Sequence, residues 1–376
     1  MWQSINALFK LHLYFSGMKI FVPVLLLLMP LSGTRTETPS VSPKPKNIIL
    51  LIGDGMGLSQ VSAGYYYNGQ QLNLTSFPVT GLVTTHSHSH LITDSAAGGT
   101  AIACGCKTTN GTIGMDARKK NCTSVLELAE GKGMATGIIA SSSVTHATPA
   151  SFVAHVPSRS EMDAIAKFYL TTEVDLVIGG GMKYFRERSD NRDLYDELQK
   201  KGYMVSNFQE AGLRDISPDQ NKPFAWFGAR EEPESVTKGR DWLPYAAGIA
   251  PSFLKNRSDK GFFMMLEGSQ IDWACHNNDG PGAIKEILDF DLAIGKILEF
   301  ARADGETLVI VTADHETGGL ALEQGSGPDT LSLGFNTGGH TASLVPVFAF
   351  GPGAENFGGF MDNTEIFSKM KFLLGL

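Results

Sequence analysis

The chain has 376 residues, 42% of them hydrophobic and 19% charged, with a formal net charge of −8. That apolar content excludes a disordered chain, and the acidic balance without a basic stripe excludes a nucleic-acid-binding surface. The length predicts one large domain, with at most small insertions.

The chain opens on a stretch that reads as an export signal. Lys10 and Lys19 precede the apolar run from Ile20 to Leu31, and Ser32-Gly33-Thr34 supplies small residues for cleavage. The run is short for a membrane-spanning helix. Residues 1–33 therefore read as a signal peptide, and the protein as exported, periplasmic or extracellular. Residues 34–46, rich in Pro, Ser and Thr, read as a linker.

From residue 47 onward, short apolar runs alternate with helical stretches. Strands are predicted at 47–52, 81–85, 136–140, 175–178, 262–266, 308–312 and 345–350. Helices are predicted at 124–132, 161–169, 192–200, 246–254 and 282–303. In the last helix Ile284, Ile287, Leu288, Leu292, Ile294 and Leu298 mark a buried face. Residues 215–241, polar and interrupted by Pro218, Pro223 and Pro233, read as an irregular excursion. The alternation predicts an α/β fold, a three-layer α/β/α sandwich around a central, mostly parallel sheet.

Four of the apolar runs lead to residues that bind metals. The first ends at Asp54. Another ends at Glu267, with Asp272 and His276 just beyond. A third ends at Asp314-His315, and Gly338-Gly339 delivers His340 before the last. Parallel sheets gather ligands at the carboxyl ends of their strands, so four carboxylates and three imidazoles are expected to converge. Acids that close cannot all ionise unless cations neutralise them.

Ser95 lies in Thr93-Asp94-Ser95-Ala96-Ala97-Gly98-Gly99, with small residues of helical tendency after it. A serine there is ordinarily an N-cap. A helix N-terminus also favours an alkoxide and a phosphate oxygen, so Ser95 is a candidate nucleophile. Cysteines stand at 104, 106, 122 and 275. Cys106 and Cys122 are spaced to close a short loop, though spacing does not fix connectivity.

Six segments taken together resemble alkaline phosphatase: Ile52-Gly53-Asp54-Gly55-Met56-Gly57, Thr93 to Ala97, His146-Ala147-Thr148-Pro149-Ala150, Glu267 to Asp272, Thr312 to Gly319, and Gly338-Gly339-His340-Thr341. They follow the family's order over residues 47–351. The short connection before His340 resembles the compact bacterial enzymes without a large crown insertion. The resemblance implies a catalytic domain over 47–376, phosphate monoesters as substrates, a homodimer, and two Zn2+ and one Mg2+ per subunit. Asp272, His276 and His340 would hold the first zinc, and Asp54, Asp314 and His315 the second. Asp54, Thr148 and Glu267 would hold magnesium. Arg159 matches the family's phosphate-clamping arginine, and Ser95 its nucleophile, which water later frees from phosphate. The donor types agree independently, since nitrogen-rich sets suit zinc and all-oxygen sets suit magnesium. His146 and Trp273 depart from the best-known bacterial pattern, which has an acid and a lysine there. His146 is then expected beside the third metal, either behind its ligands or shifting the site towards zinc, and Trp273, which cannot make a charged phosphate contact, to pack nearby. A diesterase of the same superfamily is less well matched, because Arg159 would engage oxygens that only a monoester leaves free. A sulfatase is disfavoured, because Ser95 lacks the Cys/Ser-x-Pro-x-Arg context.

Overall fold

The computed structural model of the protein describes residues 44–327 and 330–376. Residues 1–33, read above as an export signal, and most of residues 34–46, read as a linker, lie outside the described residues. In chain order the strands are β1 (Asn47–Gly53), β2 (Val79–Thr84), β3 (Ala135–Ser143), β4 (Leu176–Gly180), β5 (Met204–Asn207), β6 (Phe224–Phe227), β7 (Phe262–Gly268) and β8 (Thr307–Thr312). Four short ones follow, β9 (Glu316–Thr317), β10 (Leu320–Leu322), β11 (Leu333–Phe335) and β12 (His340–Thr341), then β13 (Val345–Phe350) and β14 (Gly359–Asp362).

Ten of these strands form one sheet, ordered β14-β2-β13-β8-β1-β7-β3-β4-β6-β5. Only β13 runs against its neighbours. The sequence dictates this arrangement. Asn47–Gly53, Phe262–Gly268 and Thr307–Thr312 are buried along their whole length, as unbroken apolar runs must be when helices cover both faces. Helices Leu243–Lys255 and Gly280–Asp304 pack on each other and on the sheet, and Ser95–Cys104 packs on Asn363–Leu374. The α/β sandwich expected from the alternation is the one found. Its only elaborations between β8 and β13 are two two-stranded sheets, β10-β11 and β9-β12, so no large crown is inserted among the described residues.

Two expectations need correction. Residues 215–241 are not wholly irregular, because Phe224-Ala225-Trp226-Phe227 forms a buried strand paired with β4 and β5. Its four residues are too short a run to stand out between Pro223 and Pro233. In the long helix, Leu292 is 60% exposed. At about 100° per residue, Ile284, Ile287, Phe290, Ile294, Ile297 and Leu298 share one face and are buried, whereas Leu292 projects well outside that arc.

Candidate metal-dependent active site

Strands β8, β1, β7 and β3 are side by side, and each delivers its site residues at its carboxyl end. The registers align these ends: Ile52 stands opposite both Glu267 and Thr312, and Ala140 opposite Glu267. Asp54 follows β1, Glu267 lies in β7, Asp314 and His315 follow β8, and His146 and Thr148 follow β3. The helix Gln270–His276 after β7 carries Asp272, Trp273 and His276, and β12 presents His340. Gly55 makes the tight exit from β1 possible. Its φ is +71°, and a Cβ there would lie 2.7 Å from Thr317 Oγ1 and 3.0 Å from Asp272 Cα.

Donor atoms gather in three groups: Asp272, His276 and His340; Asp54, Asp272 and His315; and Asp54, His146 and Glu267. Asp314 joins the second through its Oδ2, 3.4 Å from His315 Nε2. The imidazoles are held ready for a cation. His276 Nδ1 donates to Gly338 O at 2.7 Å and His340 Nδ1 to Thr93 O at 2.8 Å. A carbonyl can only accept, so each Nδ1 carries a proton, which leaves each Nε2 to ligate a cation or, where none is bound, to take a second proton. Those two Nε2 atoms face each other at 3.1 Å, and two lone pairs that close repel unless a cation or a proton lies between them. The Thr317 hydroxyl gives its single hydrogen to Asp272 Oδ1 and therefore accepts from His315 Nδ1 at 3.2 Å. His315 Nε2 is thus also free, 3.4 Å from Asp54 Oδ1.

The oxygens make the same case. Both Asp54 carboxylate oxygens, Glu267 Oε1, Asp314 Oδ2 and Thr148 Oγ1 are buried without a hydrogen-bond partner among the described residues. Burying that many acceptors unpaired is costly, and a divalent cation removes the cost. The donor set therefore fits bound metal. Glu267 Oε2, by contrast, is satisfied by the Ser269 hydroxyl at 2.6 Å and the Ser142 hydroxyl at 3.3 Å, which fixes the carboxylate plane.

At the third group the structure sharpens the expectation. His146 is brought within ligand reach of Asp54 and Glu267, with its Nδ1 buried and unpartnered. Its Nε2 accepts from Arg159 Nη2 at 3.3 Å. Thr148 lies in the same wall, in the turn Ala147–Ala150. Trp273 packs edge-on against the His146 ring, centroids 5.7 Å apart.

Ser95 begins the helix Ser95–Cys104, capped by Asp94, whose Oδ1 accepts from Ala97 N at 3.0 Å. The Ser95 hydroxyl is 3.3 Å from His315 Nε2. Gly98 and Gly99 let this helix press in: a Cβ on Gly98 would lie 2.9 Å from Asp314 O, and one on Gly99 2.9 Å from Ser151 Oγ. Arg159 reaches over from the far side, its Nη1 3.1 Å from Asp94 Oδ2. Beyond the N–H groups given to Asp94 and His146, the guanidinium keeps others for an oxyanion.

The electrostatics follow from burial. Burial first, then the charges of Asp314, Asp272 and Glu267, pushes the Asp54 carboxyl well above the usual carboxylate range. Burial likewise pushes Glu267 up to about 8 and Asp314 to about 6. It holds His315 down at about 4, and with the Arg159 charge holds His146 at about 3. Asp272 goes the other way. Burial raises it, but hydrogen bonds from His276 and Thr317 and the charges of His315 and His340 outweigh that and lower it. His276 is raised to about 9 by the hydrogen bond to Asp272. Without cations, protons on Glu267 and His276 must do the neutralising.

The alkaline phosphatase family model matches residues 45–331 of the chain.

The chain belongs to the alkaline phosphatase family.

Alkaline phosphatase 3 of Bacillus subtilis is 33% identical to it over 408 aligned residues, covering 85% of this chain and 87% of the relative. Alkaline phosphatase 4 of the same organism is 38% identical over 69% of this chain, which spans 59% of that relative's length. The solved alkaline phosphatase of the Antarctic bacterium TAB5 is 41% identical, with a TM-score of 0.83 over 88% of this chain and 99% of that one. A variant of the TAB5 enzyme with histidine replaced by aspartate is described with magnesium in its M3 site. Together with the ligand groups above, these likenesses make the chain an alkaline phosphatase, a metal-dependent phosphomonoesterase.

Some residues around this alkaline phosphatase centre were invisible in sequence. Glu316 is a buried acid beside two ligands, yet it is fully occupied: Gln60 Nε2 and the Leu320 N–H donate to Oε1, and Gly319 N–H and the Thr341 hydroxyl to Oε2. It ties the β9-β12 pair to the helix Leu58–Tyr67 and so sets His340. Thr317, which sets the His315 tautomer, was also missed. Its place two residues after His315 is the only cue the sequence offers.

Proposed function

We propose that this alkaline phosphatase transfers the phosphoryl group of a monoester first to Ser95 and then to water, releasing an alcohol and inorganic phosphate. The observation that carries this reading is the Ser95 hydroxyl, 3.3 Å from the bare Nε2 of His315 and beside carboxylate oxygens that lack protein partners. Asp272, His276 and His340 would hold one zinc, and Asp54, Asp314 and His315 a second. Asp54, Thr148 and Glu267 would hold magnesium, with His146 in reach of the same ion. Bound metals would supply Lewis-acid charge that lowers the pKa of the serine hydroxyl and stabilises the leaving oxygen.

The chain's own residues do the positioning. Asp94 caps the helix through Oδ1 and orients Arg159 through Oδ2, so nucleophile and clamp share one support. Arg159 aligns two nonbridging phosphate oxygens through parallel N–H bonds. The N–H groups at the helix start favour the phosphate charge. The Nδ1 bonds of the three histidines prevent ring rotation, which would disperse the ligand set. Residues 47–376 act as the catalytic domain. The signal-like residues 1–33 support export to the periplasm or beyond, and the family resemblance supports a homodimer.

Elemental analysis of active, purified protein alongside hydrolysis of an aryl phosphate and an aryl diester tests this. Two zinc and one magnesium per chain, with the monoester strongly preferred, is the expected result. Full activity in metal-free protein, or a preference for the diester, would overturn it.

A further inference from the structure

The loop between the nucleophile helix and the next helix, Val125–Gly131, is closed by a disulfide between Cys106 and Cys122. Inside it, Gly111 makes two hydrogen bonds of opposite sense. Its N–H donates to Asp94 Oδ2 at 3.0 Å, and its carbonyl accepts the Arg159 backbone N–H at 2.7 Å. Asp94 Oδ2 is the same oxygen that Arg159 Nη1 reaches. One glycine therefore grips both the main chain of Arg159 and the carboxylate that aims its guanidinium.

Further stitches join this loop to the Arg159 segment. Ile113 and Val156 form an antiparallel bridge. The Gly114 carbonyl accepts from Cys122 N at 2.8 Å and from His155 Nδ1 at 2.6 Å. Gly111 itself sits at φ +82°, and a Cβ there would meet nothing within 4 Å, so backbone conformation rather than space calls for glycine.

The Arg159 side chain is 29% exposed, and among the described residues its hydrogen bonds go to Asp94 and His146. A long side chain so lightly held loses much rotamer freedom when it binds phosphate, and any device that fixes it beforehand tightens binding. The disulfide limits the conformations of the loop that carries Gly111.

We infer that the Cys106–Cys122 loop is a positioning element for Arg159, and that opening the disulfide weakens phosphate recognition through Gly111. The inference rests on the reading of Arg159 as the residue that grips phosphate.

The test compares holoenzymes: wild type, Cys106→Ser/Cys122→Ser, Gly111→Ala, Arg159→Ala, and the Arg159→Ala variant with both serines. Each is measured for kcat and KM on an aryl phosphate and for Ki of inorganic phosphate. The double-serine variant should raise KM and Ki together, roughly three- to tenfold, the worth of one weakened hydrogen bond, with a smaller fall in kcat. Gly111→Ala should move both constants in the same direction without touching sulfur. In the Arg159→Ala background, removing the disulfide should change Ki about twofold at most. A purely stabilising disulfide would lower Tm and leave Ki alone, and that result overturns the inference. Unchanged Ki in Arg159→Ala itself would instead bring down the reading of Arg159, and the inference with it. Should the double-serine variant fail to fold, phosphine reduction of the folded wild-type holoenzyme gives the same comparison.

Discussion

Removing the metals should reverse the pH dependence of stability. Glu267, at 0% exposure, is pushed up to about 8 from an ordinary 4.5. That gap corresponds to roughly 5 kcal/mol. A carboxyl raised in the folded state contributes stability that is fully present below its unfolded value and lost as pH climbs through its folded value. His276, raised to about 9, has the same sign: its contribution is present below the usual histidine range and gone above about 9. His315 and His146, held at about 4 and about 3, have the opposite sign, but their effect is confined to acid pH and is complete near 6.5. Between pH 6.5 and 9, therefore, the metal-free protein should only lose stability, by up to several kcal/mol, a fall in Tm on the order of 10 °C. Metal-loaded protein should show no such fall, because cations replace the protons. Thermal melts of chelated and reconstituted protein at half-unit steps of pH measure both curves. A metal-free curve that stays level or rises alongside the loaded one would refute the claim that these acids are built around cations.

Three further outcomes are expected. Arg159→Ala should lose roughly 10- to 100-fold in kcat/KM on a monoester, the worth of one charge-assisted hydrogen bond, and far less on a diester; equal losses would place Arg159 away from the phosphate. His146→Asp should increase magnesium occupancy and magnesium activation, because a carboxylate favours magnesium where imidazole favours zinc; identical titrations of wild type and variant would reject the role. Phe263→Ala should cost about 3–5 kcal/mol in chemical denaturation, since Phe263 is fully buried in β7 and stacked on Phe152, ring centroids 6.0 Å apart, and a cost below about 1 kcal/mol would contradict that packing.

The strands that build the centre were legible because each is an unbroken apolar run ending in a ligand: Asn47–Gly53 before Asp54, Phe262–Gly268 around Glu267, Thr307–Thr312 before Asp314. The helix Leu58–Tyr67 was not legible. Its Gly64 and its three tyrosines give little helical signal, and packing of Ala63 and Gly64 against Ile284 and Ile287 secures it instead. The strand Gly359–Asp362 has two exposed residues of four and exists only by pairing with β2. At the site, residue identities carried the ligands, whereas tautomers and supports needed three dimensions. No spacing rule reveals that Thr317 orders His315 and Asp272 across 45 residues. Nor could spacing decide that His146 comes within ligand reach of Asp54 and Glu267 rather than facing solvent.

The most direct measurement traps the covalent intermediate. Metal-loaded enzyme is quenched in acid during turnover of a labelled phosphate monoester, digested and mapped by mass spectrometry, beside Ser95→Ala treated identically. Phosphate on Ser95 in the wild type, with none in a Ser95→Ala variant that keeps its metals and fold but loses nearly all turnover, is the expected result. Phosphate on another residue, or a Ser95→Ala enzyme that turns over at the wild-type rate, would contradict it.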